Sequence, residues 1–277
     1  MKWRGRSGSS NVEDRRGMSA GRVVTGGGLI GLAIYLLSVL LSGDPSQVEL
    51  PLQHDKYIDA QQDQEDTLAD FVSVVLAETE TAWTEIFERN NMEYVRPRLV
   101  LFRDHVESGC GMAGSATGPF YCPADYRLYI DLSFYQVLRD RFGADGDFAM
   151  AYVIAHEVGH HVQNLLGTTD KVQGLRHRLS EKQYNEYSVR LELQADYYAG
   201  VWAHYADKRS GILEAGDMEE ALRAASAVGD DNIQNMTRGH VVPDAFTHGT
   251  SAQRMNWFSA GYRYGDLSHG NTFEGNI

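Results

Sequence analysis

Cysteine is nearly absent from this chain. Cys110 and Cys122 are the only two in 277 residues, and no C-x-x-C spacing occurs, which argues against a metal role for either thiol. Basic charge is also scarce: 25 Lys and Arg stand against 38 Asp and Glu, a net of −13. Most of the imbalance lies beyond the start of the chain. Residues 1–22 hold Lys2, Arg4, Arg6, Arg15, Arg16 and Arg22 against Glu13 and Asp14, a net of +4, so residues 23–277 carry −17. A body that acidic repels phosphate backbones and anionic lipid surfaces, so no nucleic-acid partner is expected. No internal repeat is present.

Charge is missing altogether from Val23 to Leu41, a run of 19 residues. At about 1.5 Å per residue it is roughly long enough to cross a bilayer core. The basic flank keeps the N-terminus cytoplasmic by the positive-inside rule and sends the remainder across. A cleavable signal peptide is disfavoured, because the run is long and no A-x-A site follows it. The expected organisation is a cytoplasmic basic tail (1–22), a transmembrane signal anchor (23–42), a polar linker with Pro45 and Pro51 (43–62), and one domain (63–277). Gly26, Gly27, Gly28 and Gly31 would suit close helix packing, and the oligomeric state stays open. In the oxidising compartment that this topology implies, Cys110 and Cys122 read as a disulfide around a flexible loop, contributing roughly 2–3 kcal/mol.

The chemistry begins at His156-Glu157-Val158-Gly159-His160. Residues four apart on a helix share a face, so both imidazoles can reach one metal ion with Glu157 beside it. The helix is well bounded. Asp147 is a candidate N-cap, Gly167 a candidate C-cap, and Phe148 to Ala155 is almost wholly apolar, which makes the helix central. Histidines and a glutamate buried there are costly unless bonded, and a metal satisfies them. A third ligand is needed. A second long helix opens at Ser180 with a capping box to Gln183, and Tyr184, Tyr187, Leu191, Tyr198, Trp202 and Tyr205 mark its apolar side. On another face Glu192 could bind the metal, and Asp196 could accept a hydrogen bond from a ligand histidine. Two solvated surface acids are the competing reading of that pair. His161 points off the metal face. His54, His105, His177, His204, His240 and His269 read as surface or locally bonded.

His156 to His160 followed by Glu192-x-x-Ala195-Asp196 resembles the gluzincin pattern of the CAAX prenyl proteases and the bacterial heat-shock membrane proteases. In that pattern the glutamate of E-x-x-A-D is the third zinc ligand. The whole chain is similar to the bacterial neutral zinc metallopeptidase family. Its members open with a basic tail like Met1–Arg6 and Ser9–Gly17, continue with one apolar span, and carry segments like Gly118–Pro123 and Leu191–Asp196. The resemblance implies Zn2+ held by His156, His160 and Glu192. Thr247–Arg254 is similar to the T-H-P-x-x-x-x-R stretch of the heat-shock membrane proteases, with Gly249 in place of proline. It implies His248 as an oxyanion stabiliser and Arg254 as its support or charge partner. A loop histidine without a role is the competing reading of His248.

The remaining pattern predicts a mostly helical α+β domain of gluzincin type with a small sheet. Asp66–Asn90 reads as an amphipathic helix, Pro97–Phe102 and Arg127–Leu132 as strands, and Met218–Val228 and the stretch from Thr250 to about Tyr264 as helices. The Cys loop and the strand after it would form the sheet edge along the cleft, to which an extended peptide can add. The expected activity is that of a membrane-anchored, extracytoplasmic zinc endopeptidase, which hydrolyses peptide bonds with a metal-activated water and Glu157 as base. Deformylases that pair H-E-x-x-H with an upstream Cys are a rival, disfavoured by location and by Glu192. An anchored binding or assembly protein with a catalytically idle zinc site is the alternative from another class. A structural site would need a fourth protein ligand, and none is persuasive.

Overall fold

The computed structural model describes residues 1–17 and 53–277, with side chains from residue 62 onward in the second stretch. The expected span and residues 43–52 of the linker lie outside the described residues. No described helix is long and apolar enough to cross a membrane.

The long first helix, α1 (Gln53–Arg89), starts earlier than its apolar stripe suggested and takes in residues assigned to the linker. Phe71, Val72, Val75, Leu76, Trp83, Ile86 and Phe87 are buried along it at the spacing expected of one helix face. Four strands form the main sheet: β1 (Val12–Asp14), β2 (Arg98–Phe102), β5 (Phe120–Cys122) and β6 (Arg127–Asp131). Their order is β1-β2-β6-β5, with β5 antiparallel to β6 and the other pairs parallel. Both faces of the sheet are covered. Leu99, Leu101, Leu128 and Ile130 face the helices. Val100, Phe102 and Tyr129 face a smaller cluster that includes Val106 of a hairpin, β3 (His105–Ser108) and β4 (Gly111–Gly114). The expected disulfide joins Cys110 to Cys122 and ties the hairpin to β5. The bracketed segment is therefore structured, where the sequence suggested a flexible loop.

Residues 1–16 do not stand apart as a tail; they belong to the domain. Strand β1 pairs in register with β2, Val12 opposite Leu99 and Asp14 opposite Leu101. Trp3 packs edge-on against Phe71 of α1 with ring centroids 5.4 Å apart. Arg6 pairs with Glu78 at 3.1 Å, and Asn11 donates to Glu80 at 2.7 Å. The α-amine of Met1 lies 2.6 Å from Asp147 and 3.2 Å from Asp217. Two of the basic residues read as a positive-inside signal, Arg6 and Arg16, are thus partnered by acids of the domain, Glu78 and Asp66.

The remaining helices are α2 (Phe134–Asp140), α3 (Asp147–Leu165), α4 (Thr168–Gln173), α5 (Glu181–Ser210), α6 (Asp217–Ala227), α7 (Asp230–Arg238) and α8 (Ser251–Tyr264). The capping boxes of α5 (Ser180, Gln183) and α8 (Thr250, Gln253) form as their sequences require. Asp147 differs from its expected role as N-cap, and Asp217 stands in the same position in its own helix. Each is the first residue of its helix, where a carboxylate favours the positive end of the helix dipole. Helix α3 is buried from Phe148 to Gly159. Its contact with α5 is set by Gly159, where a Cβ would stand 2.8 Å from the Ala195 carbonyl oxygen. That absence of a side chain lets the H-E-x-x-H face lie directly against Glu192 and Asp196.

Candidate metal centre and cleft

Across the α3–α5 contact, the Nε2 atoms of both motif histidines meet one carboxylate. His156 Nε2 is 3.2 Å from Glu192 Oε2 and His160 Nε2 is 3.4 Å from Glu192 Oε1. The three residues offer ligand atoms within 4.8 Å of one another. Two imidazoles and a carboxylate converging this closely fit the donor set of a catalytic zinc. Electrostatics point the same way. Burial lowers the affinity of both imidazoles for protons, yet Asp196 and Glu192 overcome it and hold both histidines above their ordinary values. Burial alone would raise the Glu192 carboxyl, but the histidines beside it hold it well below the carboxylate range. The two carboxylates thus favour positive charge on the imidazoles between them.

His156 is held from behind. Its Nδ1 donates to Asp196 Oδ1 at 2.8 Å, as the helix spacing suggested. Asp196 is fully buried and also accepts from the Tyr152 hydroxyl and from Arg254, whose Nε and Nη2 lie 2.8 and 2.9 Å from its two oxygens. Arg254 therefore supports the His156–Asp196 pair and not His248, the partner expected for it. Burial would raise the Asp196 carboxyl, but Arg254 and His156 keep it below its ordinary value. His160 is held differently: its Nδ1 meets Gln163 Oε1 at 2.9 Å.

Glu157 and His248 both line a cleft of about 690 Å³ that also exposes His156, His160 and Glu192. Burial holds the Glu157 carboxyl above its ordinary value, against the pull of the neighbouring imidazoles. His248 is set by a residue the sequence reading missed. Asp230 Oδ1 lies 3.2 Å from His248 Nδ1, while Oδ2 accepts the backbone N–H groups of Thr247, His248 and Gly249. The hydrogen bond to Asp230 raises the His248 imidazole, partly offset by burial. Asp230 opens α7 in Gly229-Asp230-Asp231-Asn232, which reads as ordinary helix-start chemistry. Only the fold carries it to the Thr247–Gly249 loop. Gly118, Pro119, Phe120 and Tyr121 also line it, so the outer strand of the sheet borders the cleft.

A family model described as "Putative neutral zinc metallopeptidase" matches residues 1–273. The chain belongs to this family. Among curated relatives, the protein named "Uncharacterized protein YpfJ" of Escherichia coli (strain K12) is 48% identical over 290 residues, covering 99% of both chains. The "Uncharacterized protein Rv2575" of Mycobacterium tuberculosis (strain ATCC 25618 / H37Rv) is 47% identical over 190 residues, covering 65% of this chain and 63% of its own. No solved structure matches the chain.

Of the other histidines, His161 has a defined structural place. It is fully buried, with Nε2 2.6 Å from the Val95 carbonyl and Nδ1 3.0 Å from the Tyr121 hydroxyl of β5. Burial pushes its pKa down to about 4, partly offset by the Val95 carbonyl. The unfolded chain, near 6.5, then binds more protons than the folded one between those values, so stability falls as pH falls through this window. From pH 7 to pH 5 the loss from this residue is about 2 kcal/mol. Urea unfolding of wild type and His161→Asn at both pH values checks it. An equal pH slope in the two proteins would remove His161 as the cause.

Proposed function

We propose that the chain is a zinc-dependent endopeptidase. The observation that carries the reading is the convergence of His156, His160 and Glu192 on one point of a cleft that Glu157 also lines. When bound there, zinc supplies a Lewis acid that lowers the pKa of water towards about 7. Glu157 accepts the proton of the attacking water and passes it to the nitrogen of the leaving amine. His248, steadied by Asp230, donates to the oxygen that becomes negative on the substrate carbonyl. An extended peptide would lie along β5, whose outer edge offers backbone groups for pairing. The apolar run of residues 23–41 would hold the molecule to a membrane, and the Cys110–Cys122 bond suits an oxidising compartment.

The test is metal content together with cleavage. Full-length protein should carry about one zinc per chain, by the three-ligand logic of such sites. Glu192→Ala should lose most of it in elemental analysis after dialysis against a mild chelator. Wild-type protein that takes up no zinc would overturn the reading. A Glu192→Ala protein still fully loaded would remove Glu192 from the ligand set.

A further inference from the structure

Behind His160 runs a chain of amides whose direction is fixed by backbone carbonyls. Gln163 Nε2 donates to the Leu191 carbonyl at 2.6 Å and to Gln194 Oε1 at 3.2 Å. Gln194 Nε2 donates to the Gly270 carbonyl at 2.8 Å. Gln163 is fully buried and Gln194 nearly so. An amide carries one acceptor oxygen and one donor nitrogen, and its partners fix which way each points. A carbonyl oxygen only accepts, so Gly270 requires the Nε2 of Gln194 and Leu191 requires the Nε2 of Gln163. Both Oε1 atoms then point the other way along the chain. The oxygen of Gln163 faces His160 Nδ1 at 2.9 Å, and that nitrogen must carry the proton.

We propose that Gln163 is a positioning residue that selects the tautomer of His160, and that Gln194 locks Gln163 in the orientation this requires. The inference rests on the reading that His160 holds zinc. With the proton on Nδ1, the lone pair is on Nε2, the atom that faces Glu192. His156 obtains the same result from a carboxylate, Asp196. The asymmetry has a physical reason. Glu157, Glu192 and Asp196 already crowd this small volume with carboxylates. A fourth behind His160 would add like-charge repulsion, whereas an amide supplies an acceptor without charge. The relay also ties the metal centre to the C-terminal segment, because Thr272 beside Gly270 donates to the Arg190 carbonyl of α5 at 2.6 Å.

The sequence offered one clue: Gln163 stands three residues after His160 on the same helix face. The test uses full-length protein and zinc alone. Zinc affinity is measured by competition with a chromophoric chelator for wild type, Gln163→Met, Gln194→Met and Gln163→Glu. Cooperative unfolding of each zinc-free protein shows that it is folded. Gln163→Met should weaken zinc binding roughly 10- to 100-fold, the scale of losing an outer partner of a ligand histidine, and Gln194→Met by less. Gln163→Glu keeps an acceptor at His160 and should lie between wild type and Gln163→Met. Nitrogen NMR of zinc-loaded wild type should show His160 protonated at Nδ1 and metal-bound through Nε2, a readout that needs no variant. Zinc binding by folded Gln163→Met within twofold of wild type would overturn the inference, as would metal bound through Nδ1. Failure of wild type to bind zinc would instead overturn the function proposed for the site, and the inference with it.

Discussion

Glu157→Gln is expected to keep its zinc and to lose cleavage by about a thousandfold or more, since a positioned general base typically supplies 10²–10⁴ and acts here together with water activation. The substitution preserves size and removes only the proton acceptor. Glu157 makes no part of the His156–His160–Glu192 convergence, so metal content should not follow the rate. His248→Ala should cost less, on the order of a hundredfold, as loss of one oxyanion donor does. Asp230→Asn should resemble a weaker His248→Ala, because it disturbs the placement of the imidazole without removing it. The measurement is single-turnover cleavage of a peptide library beside the zinc content of each variant. If wild type and Glu157→Gln are equally inert on every peptide, while loss of zinc alone gives a cellular phenotype, the binding or assembly reading takes over.

A chain that starts at residue 53 is expected not to fold, although it keeps every residue of the candidate centre. Met1 and Trp3 pack against the core, and burial of such side chains contributes roughly 1.5–3 kcal/mol each. Their removal also leaves Glu78 with Arg209 but without Arg6, and Asp217 without the Met1 amine. A buried carboxylate deprived of its partner costs about 3–5 kcal/mol. With β2 stripped of its neighbour, the sum rivals the whole stability of a domain, about 5–15 kcal/mol. The expected outcome is insoluble protein, and recovery of soluble, cooperatively unfolding protein when a peptide of residues 1–17 is supplied during refolding. A soluble truncated chain with an unchanged urea midpoint would show that the segment is dispensable.

The parts that could be read from sequence were those where local pattern and tertiary role coincide. The H-E-x-x-H helix is apolar on nearly every side, so its burial followed from composition. The capping boxes at Ser180 and Thr250 placed two helix starts to the residue. The parts missed were those where a short segment takes its structure from distant partners. Val12–Asp14 has no alternation of its own and becomes a strand because β2 offers an edge. Phe120–Cys122 is a strand because β6 and the disulfide hold it. The apolar side of α5 was only partly legible: Tyr187 is exposed, whereas Leu193, Ala195 and Tyr197 are buried. Its first two turns project beyond the core, and helical periodicity does not show where the core ends. The resemblance to the T-H-P-x-x-x-x-R stretch pairs Arg254 with His248, but the fold places it on Asp196. Asp230 and Gln163 carried no signal apart from helix grammar.

Residue 17 leaves the same body that residue 53 enters, because β1 is hydrogen-bonded to β2 and α1 packs on the helices behind that sheet. Residues 17 and 53 are thus fixed to one folded body, to which Trp3 and His156 both belong. Counting charges on the first residues cannot assign them a side of their own.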